Sequence, residues 1–320
     1  MNNEMMNVMK YKFVYLGFSL VLLVPGIFSL IFWGLRLSIE FTGGSVFQFE
    51  FGSKPDTVQL SEILKQNGVE VENVSVENQN TAVIRAKPVD ASKNDDIKKA
   101  VSDKFAGAKE LSFETVGPAV GQETAQNAFI ALAWVSLGIL LYIAFAFRNV
   151  PKPYSGFRFG VSAIIAMLHD AFVVLGVFSI LGHFLKIEID ALFITAVLTV
   201  IGFSVHDTIV VFDRIRENLG KLPRVWSFED IVNYSVVETL NRSLATSMTV
   251  LMTLLALFLL GGESIKSFVL AMLIGIVSGT YSSIFTASPI LVIWEDLKKR
   301  GVKVKISLPK LPKLAFRKAK

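Results

Sequence analysis

The chain has no cysteine and only three histidines in 320 residues. Disulfide scaffolding, thiol catalysis and zinc–thiolate sites are therefore excluded. Charge is also scarce, with Asp, Glu, Lys and Arg making up 18% of the residues. There is no HExxH metal motif. There is no phosphate-cradling glycine loop either, because Gly43-Gly44 in "FTGGS" is not followed by Lys-Ser/Thr. What is abundant is apolar sequence, 52% of the chain, in runs of about 20 residues, the length that crosses a bilayer core. The pattern predicts an integral membrane protein with a smaller soluble part.

Six spans are expected, at about 13–33, 126–147, 159–182, 189–212, 244–261 and 266–293. The first follows Lys10 and Lys12 and ends in "FWGLRL" rather than in a small-x-small cleavage site, so it reads as an uncleaved signal anchor. Lys and Arg set the orientation. They gather at the N-terminus, in "RNVPKPYSGFR", and after the fourth span as Arg214, Arg216, Lys221, Arg224 and Arg242. The tail has ten of them after Asp296 and no acid. The loops "GHFLKIEID" and "GGESIKS" carry one Lys each. Both termini are thus expected in the cytoplasm. Residues 1–36 form the N-terminus and first transmembrane helix, and 37–123 an extracytoplasmic domain. Residues 124–296 hold transmembrane helices 2–6, with an amphipathic helix along the cytoplasmic surface near 214–243. Residues 297–320 form a basic cytoplasmic tail.

The domain between the first two spans has its own pattern. "SVFQFEF", "VEVENVSVE", "TAVIRAKP" and "KELSFETVG" read as strands. "DTVQLSEILKQNG", with Asp56 as cap and Gly68 as stop, and "NDDIKKAVSDKFAG" read as helices. "NQN" reads as a hairpin turn. The order βαββαβ predicts an α+β, ferredoxin-like domain. With no histidine and no glycine loop, it reads as a binding or mechanical module.

Ionisable residues inside spans usually face the bundle interior and mark ion paths or proton relays. Here they are His169, Asp170, His206, Asp207 and Arg242. Ser204, Asp207 and Arg214 share one face of span four. Arg242, Thr246, Thr249 and Thr253 recur at i, i+4, i+7 and i+11 in span five. Ala271, Gly275, Gly279 and Ser283 form a small-residue ridge in span six that lets backbones approach. Spans four to six are expected to pack with Asp207, Arg242 and the threonines in the seam. Desolvation disfavours an ionised carboxyl, and a nearby guanidinium favours it. A carboxyl held between the two can load and release a proton. One charge moved through about 150 mV yields roughly 3.5 kcal/mol.

Blander readings stand beside these. His169-Asp170 is either a structural hydrogen-bonded pair or part of the relay. Arg242 is either a relay group or a snorkelling topology signal. Asp213 and Arg214, at the end of span four, read as interfacial. Neighbours on a helix point about 100° apart, so neither His-Asp pair supplies two ligands to one metal. No metal, cofactor or enzymatic chemistry is expected.

Several motifs recur in order: "IEFTGGS", "ETVGPAVGQE", "MLHD", "GFSVHDTIVVFDRIREN", "ETLNRSLATS" and "GTYSSIFTASPIL". With them the chain resembles, over about residues 10–296, the SecD/SecF family of protein-export membrane proteins in the resistance-nodulation-division superfamily. The resemblance implies a proton-driven accessory subunit of Sec preprotein translocation in the bacterial cytoplasmic membrane. Its partners would be SecD, the SecYEG channel and translocating preproteins. The resemblance also implies that Asp207 is the titrating aspartate and Arg242 the essential arginine. Two positions depart from the family pattern. His206 stands where many relatives have Asn, and an adjacent imidazole can either donate a hydrogen bond or share a proton with Asp207 as a coupled pair. Glu40 stands where an Asp is usual. The basic tail fits anionic lipids, and no specific nucleic-acid partner is expected. The rival readings are a proton-driven exporter of small molecules or lipids, and an uncoupled structural scaffold of the translocon.

Overall fold

The computed structural model describes residues 6–77, 80–105, 107–223 and 225–299. In chain order the first half holds α1 (Lys12–Phe32), the single-turn α2 (Ile39–Thr42), β1 (Gly44–Glu50), α3 (Thr57–Gln66), β2 (Val71–Glu77), β3 (Thr81–Ala86), α4 (Asn94–Lys104) and β4 (Lys109–Val116). The second half is helical: α5 (Pro118–Ala146), α6 (Gly156–Leu185), α7 (Ala191–Lys221), α8 (Phe228–Leu260), α9 (Lys266–Ser282), a π-helical turn (Ser283–Ala287) and α10 (Ser288–Lys299). Six helical stretches among the described residues are long and apolar enough to cross a membrane. The turn "NQN" falls mostly, and the basic tail almost wholly, outside the described residues.

The helices outrun the hydropathy. Pro118 opens α5 at a position where its missing N–H is no loss. Ser227 and Asp230 form a capping box that starts α8, and no helix breaker follows before Gly261. The surface helix expected near 214–243 is therefore not a separate element. It divides between the last turns of α7 and the first of α8. Its apolar residues Ile231, Val232 and Val236 are buried in the bundle rather than laid on a membrane surface. His183, expected in a loop, lies in the last turn of α6 and stacks on Trp33 at 4.0 Å between ring centres.

The α+β domain follows the alternation. The sheet order is β2-β3-β1-β4, antiparallel throughout. Phe47, Phe49, Ala82 and Ile84 point to one face and pack on Leu60 and Leu64 of α3 and Ile97 and Val101 of α4. Asp56 caps α3, accepting from Val58 N at 2.9 Å, and Gly68 closes it at φ 75°.

Short polar links tie this domain to the bundle. Ser38 N donates to Ile189 O at 2.9 Å, and Ile189 N to Arg36 O at 2.8 Å. Glu188, before α7, pairs with Arg36 at 3.0 Å and with Arg85 of β3. Glu40 accepts from Ala191 N at 2.7 Å, which puts a carboxylate at the α7 N-terminus. The motifs "FTGGS" and "GPAVG" meet in space. Gly43 has φ 72°, and a Cβ on Gly121 would lie 2.7 Å from Gly43 N. α1 crosses α6 at Gly26 and Gly176, where a Cβ on Gly176 would lie 2.5 Å from Gly26 Cα.

Candidate functional site

One face of α7 carries buried Ser204, Asp207 and Thr208, and His206 lies exposed on another. Asp207 is 7% exposed. Its Oδ1 accepts from Ser243 Oγ of α8 at 2.7 Å. Its Oδ2 has no hydrogen-bond partner among the described residues. The adjacent Thr208 hydroxyl is 3.0 Å from that of Ser283, and Ser283 also donates to Gly279 O at 2.8 Å. Thr280 of α9 donates to Ser247 Oγ of α8 at 2.7 Å. The expected seam of α7, α8 and α9 is present and polar.

The ridge on α9 makes that seam possible. A Cβ on Gly275 would fall 2.2 Å from a Val200 methyl, and one on Gly279 would fall 3.1 Å from Ser204 Cβ. Ala271 and Ser283 are fully buried beside them. Small residues at these steps let α9 reach α7 at backbone contact.

The α8 stripe is rotated from its expected place. Arg242, Thr246, Thr249 and Thr253 are exposed, not in the seam. The three threonine hydroxyls donate to the carbonyl four residues back, at 3.0, 2.6 and 3.1 Å. Arg242 forms no ion pair with a described residue. Thr239, Ser243 and Ser247 face the seam instead. Successive helical residues point about 100° apart, so the Arg242 and Ser243 stripes cannot both face α7. The sequence signal for the correct stripe was a second step-of-four run of hydroxyls inside "ETLNRSLATS".

His169 and Asp170 lie together on α6, both buried. Ser204 of α7 donates to Asp170 Oδ2 at 2.5 Å. Ser282 donates to the same oxygen at 2.5 Å, and Ser278 to Oδ1 at 2.7 Å. His169 Nδ1 lies 2.9 Å from Oδ1. Neither Ser278 nor Ser282 was singled out from the sequence, because they are distant from Asp170 in the chain. Arg214 pairs with Glu217 at 2.7 Å and Glu238 at 3.2 Å, and Asp213 with Arg216 at 2.5 Å, so these charges are engaged at the helix end. Among the described residues, no group of three His, Asp or Glu side chains is placed to hold a metal.

An open cleft of about 540 Å³ separates the second face of the sheet from the loop before α7, lined by Gln48, Arg85, Glu114, Glu188 and Asp190 among others. Burial lowers the Arg85 pKa, and Arg36 nearby adds to that. Burial raises the Asp190 carboxyl above its ordinary value, with Glu40 contributing, while the bond from Phe193 N opposes the shift.

The family "Protein export membrane protein SecD/SecF, C-terminal" matches residues 96–297, and "SecD/SecF GG Motif" matches residues 28–54. A protein translocase subunit SecF of Thermobaculum terrenum is 49% identical over 305 residues, covering 91% of this chain and 95% of the relative. Protein translocase subunit SecDF of Bacillus subtilis is 35% identical over 91% of this chain but only 38% of the relative. The crystal structure of SecDF from Thermus thermophilus, described as a translocon-associated membrane protein, superposes with a TM-score of 0.78 at 34% identity. That match covers 92% of this chain and 39% of that one. Family matches over most of the length, and a shared fold of six apolar helices with a small antiparallel sheet, lead to one conclusion: the chain belongs to the SecD/SecF family of protein-export membrane proteins.

Proposed function

We propose that the chain is an accessory subunit of the Sec preprotein translocase, pairing with a SecD-type partner and using the proton gradient to promote late export through the SecYEG channel. The observation that carries this reading is Asp207, a carboxyl buried in the α7–α8–α9 seam with one oxygen bound to Ser243 and the other without a hydrogen bond among the described residues. A free, buried carboxylate oxygen in a membrane span is costly unless it is used. Protonation removes the charge, and release restores it. The pull on Ser243 and the packing of α8 against α7 change with it. His206 lies next in the chain but on the exposed face, where it can pass protons to or from outside the bundle.

Arg242 supports a partner on the α8 face. The three threonine hydroxyls are already met by their own helix's carbonyls, whereas a guanidinium on the exposed side of a membrane span is better covered by a polar partner than by lipid. The fused SecDF relatives, of which this chain spans about two fifths, have a second half to supply it. In the complex, Arg242 then sits between the two halves, one helical residue away from the Asp207–Ser243 contact. We read the α+β domain as ferredoxin-like and extracytoplasmic, meeting emerging preproteins. Both termini are cytoplasmic in this reading, with the basic tail on anionic lipids.

The test is export of a secreted reporter in cells whose native chain is replaced by Asp207→Asn. The expected result is export near the null level while the protein accumulates with its SecD partner. Unchanged export would leave the uncoupled scaffold as the reading.

A further inference from the structure

Asp207 and Asp170, two buried carboxyls of the bundle, differ in how their oxygens are met. Among the described residues Asp207 accepts one side-chain hydrogen bond, from Ser243, and its Oδ2 accepts none. Asp170 has four neighbours on two oxygens: Ser204 and Ser282 on Oδ2, Ser278 and His169 Nδ1 on Oδ1. Asp170 is wholly buried. Its hydrogen-bond partners come from three helices: α6 (His169), α7 (Ser204) and α9 (Ser278 and Ser282). The last two are one turn apart on a single α9 face. They reach Asp170 because Gly279, between them, lets α9 close on α7. A Cβ there would stand 3.1 Å from Ser204 Cβ and 3.6 Å from Asp170 Oδ2.

α9 is held from its other sides at the same level. Thr280 bonds Ser247 of α8, and Ser283 bonds Thr208, the neighbour of Asp207. At Ser283 the helix passes into the π-helical turn, a local widening often found at functional sites. α9 is thus tied to Asp170 on one side and to the Asp207 region on another.

We propose that Asp170 is a positioning residue rather than a proton carrier: it clamps α6, α7 and α9 through three serine hydroxyls, and so sets the α9 register against which the Asp207–Ser243 contact switches. The inference rests on the proton-coupled reading above. Both Asp170 oxygens already have two neighbours each, so a transferred proton finds no open oxygen there like Asp207 Oδ2 and enters only if a hydroxyl reverses. Asparagine can replace the aspartate. Serine hydroxyls both donate and accept, so two can reverse to meet the amide N–H groups.

The experiment is reporter export from full-length Asp170→Asn, Asp170→Leu and the double variant Ser278→Ala/Ser282→Ala, beside Asp207→Asn, each at matched accumulation with the SecD partner. Asp170→Asn should export within about twofold of wild type, whereas Asp170→Leu and the double serine variant, which leave buried polar groups unpaired or lost, should fall by about tenfold. The double variant adds no bulk and serves if the leucine variant fails to accumulate. If Asp170→Asn is as inactive as Asp207→Asn, Asp170 carries the proton and the proposal falls. If Asp170→Leu or the double serine variant exports normally, the clamp has no role and the proposal also falls. Normal export from Asp207→Asn would instead sink the proton-coupled reading itself, so the two failures are distinguishable.

Discussion

Replacing Gly176 by alanine puts one methyl where α6 crosses α1. The new Cβ would lie 2.5 Å from Cα and 2.9 Å from C of Gly26, both backbone atoms that no rotamer change can move. To restore ordinary contact the helices must part by roughly 1 Å, a gap that forfeits a quarter to a half of each dispersion well along the seam. The hydroxyls of Ser29 and Ser179, now 2.7 Å apart, would separate beyond hydrogen-bond length. Overpacking costs about 1–3 kcal/mol, and an interhelical bond in a membrane about 0.6 kcal/mol. Alanine returns about 0.5–1 kcal/mol through its better helix propensity. The net expectation is a loss of about 1–3 kcal/mol. Gly138→Ala is the control, since nothing lies within 4 Å of its added Cβ, and it should be neutral or mildly stabilising. Thermal unfolding of the purified protein in detergent reads both. A Gly176→Ala protein that melts at or above the wild-type temperature would refute the close α1–α6 crossing.

Asp190→Asn keeps the cap on Phe193 N, now 2.7 Å from the carboxylate, because asparagine caps as well as aspartate. An acid whose folded pKa lies above its unfolded value binds more protons when folded. Its contribution to stability falls as pH rises from about the ordinary 3.8 through the raised folded value. Asp190→Asn should therefore melt at or above wild type at neutral pH, and the difference should vanish in acid. A neutral-pH loss of stability would contradict this. The exposed α8 stripe gives another test, made clean by the absence of native cysteine. Thr249→Cys should form disulfides with cysteines introduced into a SecD partner's spans, and Ser247→Cys, which faces the seam, should not. Failure of Thr249→Cys to cross-link anywhere in the partner would remove that face from the interface.

Periodicity alone determined the six spans, the βαββαβ order and the Asp56 and Gly68 boundaries of α3. Each is a local property of composition at period two or 3.6. Composition alone also put Asp207 among the candidates, together with Asp170, because a carboxyl inside an apolar run is visible without any contact. Tertiary structure decided the rest. Two hydroxyl stripes, one residue out of phase, run along α8. Only packing against α7 selects Ser243 and Ser247 over Arg242 and Thr246. The Asp170 clamp depends on Ser278 and Ser282, more than a hundred residues away, brought within reach by glycines on α9. Glu40 reads from sequence as a conservative replacement, yet its carboxylate meets the first turn of α7 across 151 positions. Such contacts are set by which helix faces touch. A one-dimensional pattern gives each helix a polar and an apolar side, but only the closed bundle ranks two polar sides of the same helix against each other.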